Sequence, residues 1–152
     1  MTPIISTVTV DLNMTTTDKV ETIKHLIGLL DSDSRLVDPK KLLDDVLIRE
    51  GQMQTGLEGG IGIPHARSGG VVTPSLAFGR SVLGVDFGAS DGKADLVFLI
   101  AIPEGSEASH MKLLAALARR LIHDSFKSAL REAKNAQEVV ELIEVEVVAK
   151  TK

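Results

Sequence analysis

Apolar residues recur at helical spacing in several stretches of the chain. Val20, Ile23, Leu26, Ile27 and Leu30 predict a helix over 18–31, and Leu42, Leu43, Val46 and Leu47 a second over about 39–51. Met111, Leu114, Leu117, Ala118 and Leu121 predict a third, from Ser106 or Glu107 to about His123. Phe126, Ala129 and Leu130 mark a short helix at 124–133, and Val139, Val140, Leu142 and Ile143 a last one. Polar residues supply the starts. Asp18 with Glu21 and Asn135 with Glu138 read as capping boxes, and Asp38-Pro39 as a cap followed by proline in the first helical position. Other segments follow an extended pattern. Ile4 to Leu12 alternates at Val8, Val10 and Leu12 and reads as a strand or extended arm. Residues 75–81 read as a short strand, with Val82 to Phe87 as a possible second. Ala94 to Ile102 is an almost unbroken apolar run between turn signals, as in a central strand covered on both faces. Residues 146–152 read as a frayed tail or the start of a linker.

Helices and strands mix without strict alternation. The expected architecture is therefore a single α/β domain over 1–152, core about 5–145, with a mixed sheet flanked by helices on both faces. Composition narrows the picture. Four Phe with no Trp or Tyr require an aliphatic core and leave no stacking platform for single-stranded nucleic acid. A net charge of −4 disfavours nucleic acid and anionic membranes as partners. Without cysteine there are no disulfides and no thiolate metal sites. No secretory leader and no apolar span of about 18 residues is visible, so the expectation is a cytoplasmic protein without membrane insertion.

The chemistry concentrates in Thr55-Gly56-Leu57-Glu58-Gly59-Gly60-Ile61-Gly62-Ile63-Pro64-His65-Ala66-Arg67. Glycine opens backbone angles closed to other residues, and Pro64 biases Ile63 towards an extended conformation. The stretch predicts a tight, surface-facing loop that holds His65 in a defined place, with a neutral ring nitrogen able to act as a phosphoryl acceptor. The other histidines carry blander readings. His25 reads as a solvated surface residue, and His123 as a cation at a helix end. His110, at the opening of the third helix just past a central strand's carboxyl end, is either a solvent-facing residue or part of a site. Arg49 either complements the dipole of its helix or reaches an anion held near His65. Gly59-Gly60-Ile61-Gly62 matches neither a P-loop nor a dinucleotide fingerprint, and no Gly-x-Ser-x-Gly elbow occurs. A metal would need His65, His110 and a carboxylate such as Glu58, and no spacing demands one.

Taken in order, Arg49-Glu50, Thr55-Gly56 and Gly60-Ile61-Gly62-Ile63-Pro64-His65-Ala66-Arg67 resemble the signature of the IIA domains of the fructose–mannitol class of the bacterial phosphoenolpyruvate:sugar phosphotransferase system. The block Leu96 to Pro103, then His110 and Leu113 to Ala118, is similar to the same family's second block, so the likeness covers roughly 5–145. The resemblance implies that His65 accepts a phosphoryl group on Nε2 from the phosphocarrier HPr. It implies transfer onward to a IIB domain, which phosphorylates the sugar carried by the membrane IIC domain, the components being either separate or joined in one longer chain. It implies that His110 is the second active-site histidine and Arg49 the arginine of the pocket, with no cofactor and no metal. Fructose is favoured over mannitol. The alternative is a regulatory protein like the nitrogen-related IIA members, in which phosphorylation of His65 switches partner binding.

Overall fold

The computed structural model describes residues 2–151, apart from the side chains of Glu107 and Ser109. After a 3-10 turn at Thr7–Thr9 come β1 (Val10–Met14), α1 (Lys19–Ser32), α2 (Pro39–Gln52), β2 (Gly56–Leu57), β3 (Ile61–Gly62), β4 (His65–Ser68), β5 (Ser75–Val85) and β6 (Ala94–Pro103). Helices α3 (Glu107–Leu121), α4 (Asp124–Glu132) and α5 (Ala136–Glu146) follow, then a 3-10 turn at Val148–Thr151. One mixed sheet runs in the order β1-β5-β6-β3-β2, with β4 also paired to β6. β1 is parallel to β5, β5 antiparallel to β6, and β3 and β4 both parallel to β6.

The apolar run of β6 alternates between two cores, as a strand buried on both faces must. Leu96, Phe98, Ile100 and Ile102 join Leu113, Leu117, Leu121, Phe126, Leu130, Val139 and Ile143 from α3–α5. Val97, Leu99 and Ala101 face the other way, with Ile23, Leu26, Ile27, Leu30, Leu42 and Val46 from α1 and α2. The α/β class, the mixed sheet and the helices on both faces agree with the sequence reading. The caps of α1, α2 and α5 are in place: Asp18, Asp38 and Asn135 accept from the backbone N–H of Glu21, Lys41 and Glu138.

Several details differ from expectation. Ile4 to Leu12 is not one strand, because Ser6 and Thr9 cap each other through side chain–backbone bonds and wind residues 7–9 into a turn before β1. Residues 75–85 form a single strand. A register shift between Arg80 and Val85, with Gly84 at φ 85°, absorbs the irregularity that suggested two. On α3, Leu113, Ala116, Leu117 and Leu121 are buried, while Met111 and Ala118 face out. The helix carries two overlapping apolar stripes, and only contact with the sheet selects one. Glu138 turns back to the N–H of Lys134 rather than to the cap residue Asn135. The chain end is not frayed over its described part: Val147 is buried, and the last 3-10 turn packs on α3 and α5. Lys152 lies outside the described residues. Among the described residues no helix is long and apolar enough to cross a membrane.

Candidate functional site

The glycine-rich stretch is a hairpin and a strand rather than a surface loop. Gly56 pairs with Gly62 and Leu57 with Ile61 across a turn that needs Gly60 at φ 82°. The chain then runs along β6 with Ile61 opposite Leu96 and His65 opposite Ile100, so the register is the same on either side of a break at Ile63-Pro64. Pro64 has no N–H to give to β6, although its carbonyl still accepts from Ile100 at 3.1 Å. The Ile63 carbonyl instead meets His65 Nδ1 at 2.8 Å. The imidazole is therefore placed by a strand and by its own backbone, and it is only 8% exposed.

That contact defines the ring chemically. A carbonyl only accepts, so Nδ1 carries the proton and Nε2 keeps its lone pair. Burial lowers the His65 pKa below 6.5, the Ile63 hydrogen bond raises it, the Arg49 charge lowers it and Glu50 raises it, with a net fall. The ring is neutral at neutral pH.

His65 borders a cleft of roughly 840 Å³ lined also by Asp45, Ile48, Arg49, Arg67, Glu104, His110 and Met111. The fold thus brings all three expected site residues, His65, His110 and Arg49, to one cavity. Arg49 comes from the last turn of α2, where its guanidinium also reaches Gln52 Oε1 at 3.5 Å. His110 comes from the first turn of α3, its ring centroid 5.4 Å from that of His65 with the planes tilted by 51°. Its Nε2 is buried with no hydrogen-bond partner among the described residues. Its pKa is lowered by burial first, then by His65, Arg67 and Arg49. Two rings kept uncharged, one with an unsatisfied nitrogen, beside two guanidinium groups make a place suited to a multiply charged anion. Among the described residues no group of three or more His, Asp or Glu is placed to hold a metal ion.

In the sequence Arg67 stands out only as part of the motif. Its place beside His65 follows from period-2 alternation along β4, which returns residue 67 to the side of residue 65. The other two histidines lie near the surface, as expected, and each also makes a structural contact. His25 Nε2 bonds Asp11 Oδ2 at 2.7 Å and ties α1 to β1. His123 stands at the end of α3, as expected, its N–H bonded to the Arg120 carbonyl, and it is also the N-cap of α4, its carbonyl accepting from Lys127, so the two helix dipoles act on it in opposite senses.

Comparison with known proteins places this geometry. Residues 3–145 match the family model described as phosphoenolpyruvate-dependent sugar phosphotransferase system, EIIA 2. The chain is 40% identical over 122 residues to the fructose-specific EIIA component of Haloferax volcanii, covering 80% of this chain and 79% of that protein. It is 36% identical over 136 residues to the fructose-specific EIIABC component of Bacillus subtilis, covering 89% of this chain but only 21% of that much longer protein. In structure it is similar to the nitrogen regulatory protein IIA-Ntr of Neisseria meningitidis, with TM-score 0.84 and 29% identity over 92% of this chain and 96% of that one. With the fold, the motif order and a match over nearly the full length in agreement, the chain belongs to the EIIA 2 family of the phosphoenolpyruvate-dependent sugar phosphotransferase system, whose members are phosphotransferase components.

Proposed function

We propose that this protein is a phosphocarrier that accepts a phosphoryl group from HPr on Nε2 of His65 and passes it to a IIB domain for sugar uptake. The observation that carries the reading is the Ile63 carbonyl on Nδ1, which reserves Nε2 as the nucleophile. In the first step the Nε2 lone pair forms the new N–P bond. The donor's N–P bond breaks, and its electron pair stays on the donor imidazole. The accepting ring gains positive charge, which the Nδ1–H bond to Ile63 disperses. In the second step the Nε2–P bond breaks in favour of a thiolate on the acceptor, and the pair returns to Nε2, restoring the neutral ring. Arg49 stabilises the charge on the phosphoryl oxygens, and His110 Nε2 gains in a phosphoryl oxygen the partner it otherwise lacks. No metal or other cofactor enters either step. Ile48 and Met111, 62% and 67% exposed at the rim beside Asp45 and Glu104, provide an apolar docking face edged with charge for transient partners.

Fructose is favoured as the sugar, because the relatives from Haloferax and Bacillus are named for it. The fusion of A, B and C components in the Bacillus protein supports a IIB partner and a cytoplasmic setting. The likeness to a nitrogen regulatory protein supports a second reading, in which phosphorylation of His65 controls partner binding and no sugar moves.

The test is incubation with phosphoenolpyruvate, enzyme I and HPr. The expected result is an acid-labile gain of one phosphate that disappears in a folded His65→Ala variant. Arg49→Ala and His110→Ala should be labelled more slowly while keeping the native circular dichroism spectrum. Label retained by His65→Ala would move the acceptor elsewhere. Passage of label to a fructose IIB domain separates transport from regulation.

A further inference from the structure

Glu50 follows Arg49 in α2 but is buried, only 5% exposed. A buried carboxylate is costly unless its oxygens are hydrogen-bonded, and here both are. Oε2 accepts from the backbone N–H of Thr55 at 2.9 Å and from Lys19 Nζ at 3.3 Å. Oε1 accepts from the Thr55 hydroxyl at 2.7 Å. One carboxylate thus holds both donors of Thr55, and the path continues beyond it. The Thr55 carbonyl accepts from the N–H of Ile63 at 3.3 Å, and the Ile63 carbonyl accepts from His65 Nδ1. An unbroken series of hydrogen bonds joins a buried charge in α2 to the imidazole in β4.

The surroundings make this series stiff. Lys19 lies 5.6 Å from the centre of the Phe87 ring, and the backbone of Gly62 packs so closely on that ring that an added Cβ would stand 2.6 Å from it. The Phe87 carbonyl accepts from the N–H of Gly56 at 2.9 Å. The segment from Thr55 to Ile63 is therefore held at both ends and pressed on one aromatic ring.

We propose that Glu50 and Thr55 are positioning residues for the phosphoryl acceptor: the carboxylate fixes Thr55, Thr55 fixes the Ile63 peptide, and the Ile63 carbonyl selects the ring tautomer that leaves Nε2 free. The proposal rests on the reading of His65 as the acceptor. It adds that the adjacent pair Arg49-Glu50 divides its work, with Arg49 facing the anion and Glu50 setting the geometry of the nucleophile. A clamp that only stabilised the fold would not govern which nitrogen of His65 carries the proton.

The experiment uses histidine-labelled full chain, with nitrogen NMR reading the His65 tautomer and HPr-driven labelling reading the rate. Wild type should show the Nδ1–H form alone. In Glu50→Gln one of the two acceptor oxygens becomes a donor facing Thr55. In Thr55→Val the hydroxyl is lost and the N–H kept. Both variants should show a mixture of tautomers and label about tenfold more slowly, as small misplacements of a reacting group do. Thr55→Ser, which keeps the hydroxyl, should restore both. If Glu50→Gln fails to fold, the Thr55→Val and Thr55→Ser pair decides alone. Folded variants with the wild-type tautomer and rate would overturn the proposal, as would a Thr55→Ser no better than Thr55→Val. The tautomer is read without phosphoryl transfer. A wild-type protein that takes no label therefore fails the functional reading, and unaltered tautomers in the variants fail this one.

Discussion

At the scale of single residues, the cleft keeps charge off its two imidazoles. Burial is the largest influence on both His65 and His110, and each sits in a field of positive charge that lowers it further. An NMR titration should therefore find the His65 midpoint below 6.5. Because Arg49 is one of the lowering influences, Arg49→Ala should move that midpoint upward even as it slows labelling. A midpoint that stayed put or fell would remove Arg49 from the neighbourhood of the ring. These residues were partly readable from the chain. The order of Arg49, the glycine-rich stretch, His65 and His110 could be compared with a known pattern. The pairings that surround them could not, since Glu50 to Thr55, Ile63 to His65 and the tilted contact between the two rings depend on side-chain direction.

At the scale of elements, the path of β3 and β4 along β6 shows how a proline becomes useful inside a sheet. Pro64 removes one donor from the ladder, and the carbonyl of Ile63 before it, which faces away from β6, meets the histidine after it. The close fit of Gly62 on Phe87 belongs to the same device. Gly62→Ala should cost about 1–3 kcal/mol in urea unfolding, because the added methyl must displace a buried ring. Gly28→Ala in α1, where an added Cβ meets nothing within 4 Å, should instead stabilise by about 0.5–1 kcal/mol. Equal effects at the two positions would contradict this packing. Helix starts were legible because Asp18, Asp38 and Asn135 act on the backbone next to them. The inward face of α3 was not, since Met111, Leu114 and Ala118 repeat as regularly as Leu113, Leu117 and Leu121.

At the scale of the molecule, two largely aliphatic cores that also bury all four phenylalanines share one sheet, and the cleft opens where α2 from one layer and α3 from the other meet the end of β4. Holding two histidines neutral in this place has a consequence for stability. Below 6.5 the unfolded chain takes up protons on these side chains while the folded protein resists them. The unfolded state then binds more protons, so stability rises with pH in that window and is lost as pH falls through 6.5 towards the lower folded values. Chemical denaturation at pH 7.5 and 5.5 should show this loss, and a double variant with His65→Gln and His110→Gln should show less of it. A pH dependence unchanged in the double variant would assign the loss to other groups.

The sequence by itself determined the class of fold, the places where helices begin, the central strand and the histidine proposed here as the phosphoryl acceptor. These follow from periodicity, from caps that act within a few residues, and from a motif contiguous in the chain. Only the tertiary structure decided which stripe of α3 turns inward, that the glycine-rich stretch is built into the sheet, and which nitrogen of His65 is left bare. Each of those depends on groups brought together from distant parts of the chain, or on the direction of one carbonyl, and residue order does not specify either until the sheet has formed around them.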